Sequence, residues 1–290
     1  MEAPLETVLQ IGGVSFRLRS TLPLLKPDPD RFYHPFLLTA GDPHTEEFLV
    51  DILEDGVPGD AARKTFDAGP GWEAATEADG IWFRATGREP RWAARVTPTG
   101  VKVHIASASG PVANPFRYPL DQLVLGHLLA GRGGFIVHAA GAVSSTGGGF
   151  VLCGKSGAGK TTMSRLILEH GGARVIGDDR VVVREESGRY RMFDTPWPGE
   201  AGMVSNTSAP LEALVFLSKG KENRLDRLAP EQALEEMLPV VSVPWYDPER
   251  SGQVMETMGR LVQGLPAFRL GFRTDLQAVD CLLSGVDQNR

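Results

Sequence analysis

The sequence predicts an α/β P-loop domain preceded by a smaller β-rich N-terminal domain. Three observations predict it. A Gly-x-x-x-x-Gly-Lys-Thr run, Gly154-Lys155-Ser156-Gly157-Ala158-Gly159-Lys160-Thr161, lies between an apolar strand pattern and a helical one. Strand and helix patterns then alternate to the C-terminus, whereas the first third of the chain carries period-2 segments separated by turn clusters.

Composition sets the frame. The chain has 290 residues, 42% hydrophobic and 23% charged, which is an ordinary globular balance. Its net charge of −6 argues against a dominant nucleic-acid footprint, which needs a basic domain. No apolar run approaches the length of a bilayer span, and Met1 to Glu6 lacks the basic start and apolar stretch of a leader. The expectation is a cytoplasmic protein without nucleic-acid or membrane partners. Cys153 and Cys281 have no metal-ligand spacing and read as buried free thiols.

In the first third, Val14–Arg19 and Val101–Ile105 alternate apolar with polar residues, and Phe48–Ile52 and Ile81–Arg84 are further strand candidates. Turn clusters such as Asp55–Asp60 and Ala68–Gly71 separate them. Trp72, Trp82 and Trp92 read as packing residues of such a sheet. Near Pro119 the period changes. Leu120, Leu123, Val124, His127 and Leu128 share a helical face, and Gly131–Gly134 ends that helix. The expected division is residues 1–115 and 116–290.

Further along, Phe135–Val143 and Phe150–Cys153 read as a hairpin. A helix through Met163, Leu166 and Ile167 ends at Gly171-Gly172. Arg174–Ile176 and Leu211–Leu217 are strands, Pro230 opens a helix through Met237, and Thr274 is the expected cap of a last helix.

The glycine run carries the chemistry. Glycines let backbone N–H groups turn inward around an anion, and the following helix points its positive end at the same place. Lys160 then bridges the β- and γ-phosphates of a nucleoside triphosphate, and the Thr161 hydroxyl ligates Mg²⁺. No Asn-Lys-x-Asp guanine reader and no Leu-Ser-Gly-Gly-Gln-like signature is present, which argues against a GTPase and an ABC-type ATPase. A kinase, another ATPase and a nucleotide-binding regulator stay open.

Asp178 and Asp179 follow the strand after the P-loop helix, where a carboxylate reaches the metal. Neighbours within a strand face opposite sides, so both reach one site only if the strand ends at Gly177. One carboxylate then holds metal and the other accepts a hydroxyl proton; alternatively, one of them is a solvated turn residue. His138, in an apolar strand, reads from spacing alone as a core histidine.

Together, His138-Ala139-Ala140, the hairpin, Gly154–Thr161 and Asp178-Asp179 resemble the HPr kinase/phosphorylase superfamily, whose nucleotide domain is related to phosphoenolpyruvate carboxykinase (PEPCK). Tyr118–Asp121, Thr195–Glu200 and Phe216–Leu225 add to the likeness with its HPr-kinase-like branch, which includes enzymes that phosphorylate serine in peptide precursors. The resemblance implies an ATP- and Mg²⁺-dependent kinase whose acceptor is a serine-bearing peptide, protein or small molecule. It also implies roles: Asp178 on the metal, Asp179 as general base, His138 in the active site, Glu200 as a second metal ligand and Arg224 on phosphate. Oligomers are common in that family, so self-association is implied without a subunit number. Where bifunctional members carry Ser-Glu after the P-loop lysine, this chain has Thr161-Thr162, and no glycine-rich phosphorylase loop follows Asp179. A kinase is therefore implied without HPr as its acceptor. The β-rich part is the expected acceptor-recognition module.

Overall fold

The computed structural model describes residues 5–20, 31–38, 47–58, 64–86, 91–105 and 114–288. The expectations resting on Met1 to Pro4 and on Gly59 and Asp60 lie outside the described residues. The chain forms two compact units, one of residues 1–128 with 244–251 and one of residues 129–243 with 252–290. It is a mixed α/β protein with two sheets and few helices.

Among the described residues, the first unit carries nine strands: Leu5–Ile11 (β1), Val14–Ser20 (β2), Leu37–Leu38 (β3), Glu47–Leu53 (β4), Phe66–Asp67 (β5), Trp72–Glu77 (β6), Gly80–Ala85 (β7), Trp92–Thr97 (β8) and Gly100–Ile105 (β9). They form one sheet in the order β3-β1-β2-β4-β9-β8-β7-β6-β5. The alternation in β4 has a direct cause: Phe48, Val50 and Ile52 are buried while Glu47, Leu49 and Asp51 face outward. On that outer face Arg17 and Arg19 of β2 pair with Glu47 and Asp51 of the parallel neighbour β4.

Helix α1, Leu120–Ala130, carries the chain onward. The second unit holds Gly134–Ser144 (β10), Gly149–Cys153 (β11), helix α2 (Lys160–His170), Ala173–Gly177 (β12), Arg180–Glu186 (β13), Arg189–Phe193 (β14), Ser208–Lys219 (β15), Arg224–Leu228 (β16), helix α3 (Pro230–Met237), most of helix α4 (Pro248–Gly264), Ala267–Phe272 (β17) and helix α5 (Gln277–Gln288). The sheet order is β11-β10-β13-β14-β15-β17-β16, with β12 on β10 and β11 also parallel to β15.

This sheet is covered on both faces, which explains why β11 is apolar throughout rather than alternating. Phe150 and Leu152 pack with Met163, Ile167, Val279 and Leu282 of α2 and α5. Val151 and Cys153 face the opposite layer with Met237, Met258 and Leu261 of α3 and α4. Each fully buried aliphatic side chain contributes roughly 1.5–3 kcal/mol.

Two expectations need correction. The last helix starts at Gln277, not after Thr274, because the Asp275 carboxylate accepts the Ala278 N–H at 3.2 Å and supplies the capping contact. Cys153 is buried, and burial pushes its thiol up to about 12, but Cys281 is only partly buried. Both cysteines are free. Among the described residues, no helix is long and apolar enough to cross a membrane.

Candidate functional site

The glycine run lies where its flanks place it, between the end of β11 and the start of α2. Gly157 and Gly159 take φ values of +81° and +107°, which L side chains rarely adopt. No side chain caps α2, whose first backbone bond runs from Met163 N to Gly159 O at 2.8 Å. Within the loop the Ala158 N–H is taken up by the Lys155 carbonyl at 3.0 Å, whereas the amides of residues 160–162 have no acceptor inside the helix, and such a helix start suits an anion. Lys160 is 7% exposed, and its Nζ donates to the carbonyls of Gly154 and Lys155 at 2.7 and 3.4 Å. Burial draws the ammonium below its ordinary pKa, opposed by the charge of Asp179.

Strand β12 ends at Gly177 and β13 begins at Arg180, so the strand alternation does not govern Asp178 and Asp179. Both line one cavity of about 690 Å³ with Lys160 and Thr161. Their surroundings differ. Asp178 is 2% exposed, and its two oxygens accept the Gly199 and Ala201 N–H groups at 2.8 and 2.7 Å. Asp179 is half-buried, with one oxygen 2.8 Å from His138 Nε2 and the other accepting from Arg180 Nη1 at 2.6 Å. Burial pushes Asp179 upward, but the His138 hydrogen bond and the charges of Arg180, His138 and Lys160 outweigh it and hold the carboxyl below its ordinary range. His138 is thus in the cavity rather than sealed in the core.

Ser156, Gly157, Gly159 and Thr162 line the same cavity from the loop side, and Gly199 and Glu200 from the 194–207 connection. Gly154, Lys155 and Ala158 complete the loop without lining the cavity. Arg224 is not brought to it: on β16 its exposed Nε donates to Asp226 at 2.8 Å.

Three residues join the site that sequence reading did not single out. Arg180 holds Asp179; its position directly after the acid pair was the available signal. Lys219, at the end of β15, lines the cavity. Asp194 is 1% exposed and accepts from Thr195 N at 2.7 Å and from Ser205 N and Oγ at 2.5 and 3.2 Å, tying down both ends of the connection that carries Glu200. Burial raises its carboxyl to about 7 against those hydrogen bonds.

Among the described residues, no group of three or more His, Cys, Asp or Glu side chains is placed to hold a metal by itself. A triphosphate-bound Mg²⁺ asks for less, namely one or two carboxylates beside phosphate oxygens and water. Asp178 fits that demand, since each of its oxygens accepts one N–H and keeps a further lone pair, and Thr161 and Glu200 line the same cavity.

No family model and no curated protein matches the chain. Among solved structures, it is similar to the HPr(Ser) kinase/phosphatase from Coxiella burnetii at 11% identity, over 53% of this chain and 94% of that chain, with a TM-score of 0.31. A likeness of that degree carries no assignment of activity.

Proposed function

We propose that this chain is a kinase that transfers the γ-phosphoryl group of ATP to a serine hydroxyl of a peptide, protein or small molecule. The observation that supports this reading is one cavity holding both a P-loop and the Asp179–His138 pair. The loop amides and Lys160 bind the β- and γ-phosphates, and Lys160 exchanges its carbonyl contacts for phosphate oxygens. Asp179 orients the acceptor hydroxyl and takes its proton as the oxygen attacks the γ-phosphorus; the β–γ bridging bond breaks and ADP leaves. His138 and Arg180 keep Asp179 ionised and fixed. Thr161, Asp178 and Glu200 would hold Mg²⁺, which when bound neutralises charge on the phosphates.

The test is incubation with γ-labelled ATP, Mg²⁺ and serine acceptors (free serine, HPr and serine-bearing peptides), with Asp179→Asn alongside. Label on an acceptor, lost in Asp179→Asn, supports the kinase. Release of phosphate alone, equal in both proteins, points instead to an ATPase. ATP bound without turnover points to a nucleotide-binding regulator.

A further inference from the structure

The cavity has a cation whose role the P-loop chemistry leaves unassigned. Lys219 closes β15, the strand that runs parallel to P-loop strand β11 with Phe216 opposite Cys153. Its ammonium therefore leaves the sheet at the carboxyl ends of the parallel strands, where ligands of open α/β sheets bind.

The backbone there is fixed against the P-loop at both of its ends. A Cβ on Gly154 would come within 3.8 Å of the Leu217 Cβ, so the first P-loop residue abuts the strand two residues before Lys219. At the other end, a Cβ on Gly159 would lie 2.6 Å from the Phe272 ring, and Phe272 is the register partner of Lys219 in β17. Gly220 N then donates to Phe272 O at 3.0 Å and holds the strand end in place.

The other charged groups lining the cavity are engaged, apart from Glu200. Lys160 donates to its own loop, Asp178 is bound by two amides, and Asp179 by His138 and Arg180. Lys219 makes no ion pair or side-chain hydrogen bond among the described residues, although it lines the cavity with them. A solvated ammonium held beside a phosphate cradle at no structural cost is placed for an anionic ligand.

We infer that Lys219 is a second phosphate-binding residue, engaging the triphosphate chain from the strand-end side while the P-loop holds it from the other. The inference rests on the nucleotide reading above but is separable from it, because its ligand is the phosphate chain and not the base.

The experiment measures the affinity of wild-type, Lys219→Met and Lys219→Arg proteins for Mg·ATP and for inorganic tripolyphosphate, at low and moderate salt. Losing one charge-assisted contact to phosphate weakens both ligands roughly tenfold in Lys219→Met and flattens the salt dependence. Lys219→Arg restores most of the affinity. The midpoint of thermal unfolding without ligand stays unchanged, because the side chain supports nothing in the fold. Equal affinities in wild-type and Lys219→Met proteins overturn the inference, and so does weakening that tracks a lowered ligand-free midpoint. Wild-type binding of tripolyphosphate but not ATP, weakened by Lys219→Met, would keep Lys219 and discard the nucleotide reading. Binding of neither discards both.

Discussion

His138 Nε2 lies 2.8 Å from one oxygen of Asp179, and Arg180 Nη1 lies 2.6 Å from the other, so this carboxylate is held at both ends. With Nε2 as the protonated nitrogen, His138 donates and leaves Nδ1 as the ring's other polar atom. On the mechanism proposed above Asp179 is the proton acceptor, which must be ionised to work, so activity is expected to be lost as pH falls through its pKa. Because the folded environment holds Asp179 below its ordinary range, the acid limb of kcat/KM lies low. Removing His138 takes away a lowering contact, so His138→Ala moves that limb to higher pH. Asp179→Asn loses phosphoryl transfer by roughly 10²–10⁴-fold while keeping ATP affinity. Rates against pH for the three proteins check this; an unshifted limb in His138→Ala would show that the pairing does not tune Asp179.

Two glycines of the 154–161 loop separate the effect of backbone conformation from that of space. At Gly157 the φ is +81° and a Cβ meets nothing within 4 Å, so Gly157→Ala carries only the left-handed cost of about 1–2 kcal/mol. At Gly159 the φ is +107° and the Cβ would strike the buried Phe272 ring at 2.6 Å. Gly159→Ala must therefore move the loop or the ring. It is expected to lose more stability than Gly157→Ala and to lose ATP affinity as well. Urea unfolding and nucleotide titration of both variants decide it, and equal losses would contradict the placement of Phe272.

Asp194 makes stability depend on pH in an unusual direction for a carboxylate. Its folded pKa, raised to about 7 from 3.8, means the folded state keeps a proton that the unfolded chain releases between those values. More protons bound in the folded state make stability fall as pH rises through that window, by at most roughly 4 kcal/mol. Below about pH 4 both states are protonated, and above about 7 the loss is complete. Asp194→Asn cannot ionise, so its urea midpoint stays flatter between pH 4.5 and 8 even though one amide contact is lost to the side-chain NH₂. Parallel slopes for the two proteins would refute the assignment.

What the sequence made legible follows from locality. The glycine loop before α2, its preceding strand and the end of α2 at Gly171 depend on glycines and apolar residues a few positions apart. The hairpin of β10 and β11 is local in the same way. The different surroundings of Asp178 and Asp179 were not legible, because donors from residues 199, 201 and 138 create them. Lys219 was hidden for a related reason, since only the parallel pairing of β11 with β15 brings it to the loop. Arg224 shows the converse. The family resemblance implied a phosphate contact for it, whereas β16 pairs with β17 and leaves its side chain exposed on Asp226.

A long-range packing relationship lies in the first unit, where residues 244–251 return Tyr246 to the nine-stranded sheet. Its ring centroid is 5.1 Å from Phe83 and 5.9 Å from Trp72, both edge-on, and 6.2 Å from His127 in a stacked arrangement. These are favourable aromatic geometries, and the residue is only 8% exposed. Its hydroxyl makes no hydrogen bond among the described residues, and burial pushes its ionisation upward. The ring rather than the hydroxyl therefore carries the stabilisation. Tyr246→Ala is expected to cost roughly 3–5 kcal/mol, by analogy with other buried aromatic truncations. Tyr246→Phe, which keeps the ring and its neighbours, should cost less than about 1 kcal/mol. Denaturant unfolding followed by tryptophan fluorescence reads both, because Trp72 sits against the ring. If Tyr246→Ala left midpoint and emission unchanged, the returning segment would contribute nothing to the first unit; if Tyr246→Phe were as costly as Tyr246→Ala, the hydroxyl and not the ring would be the group that matters.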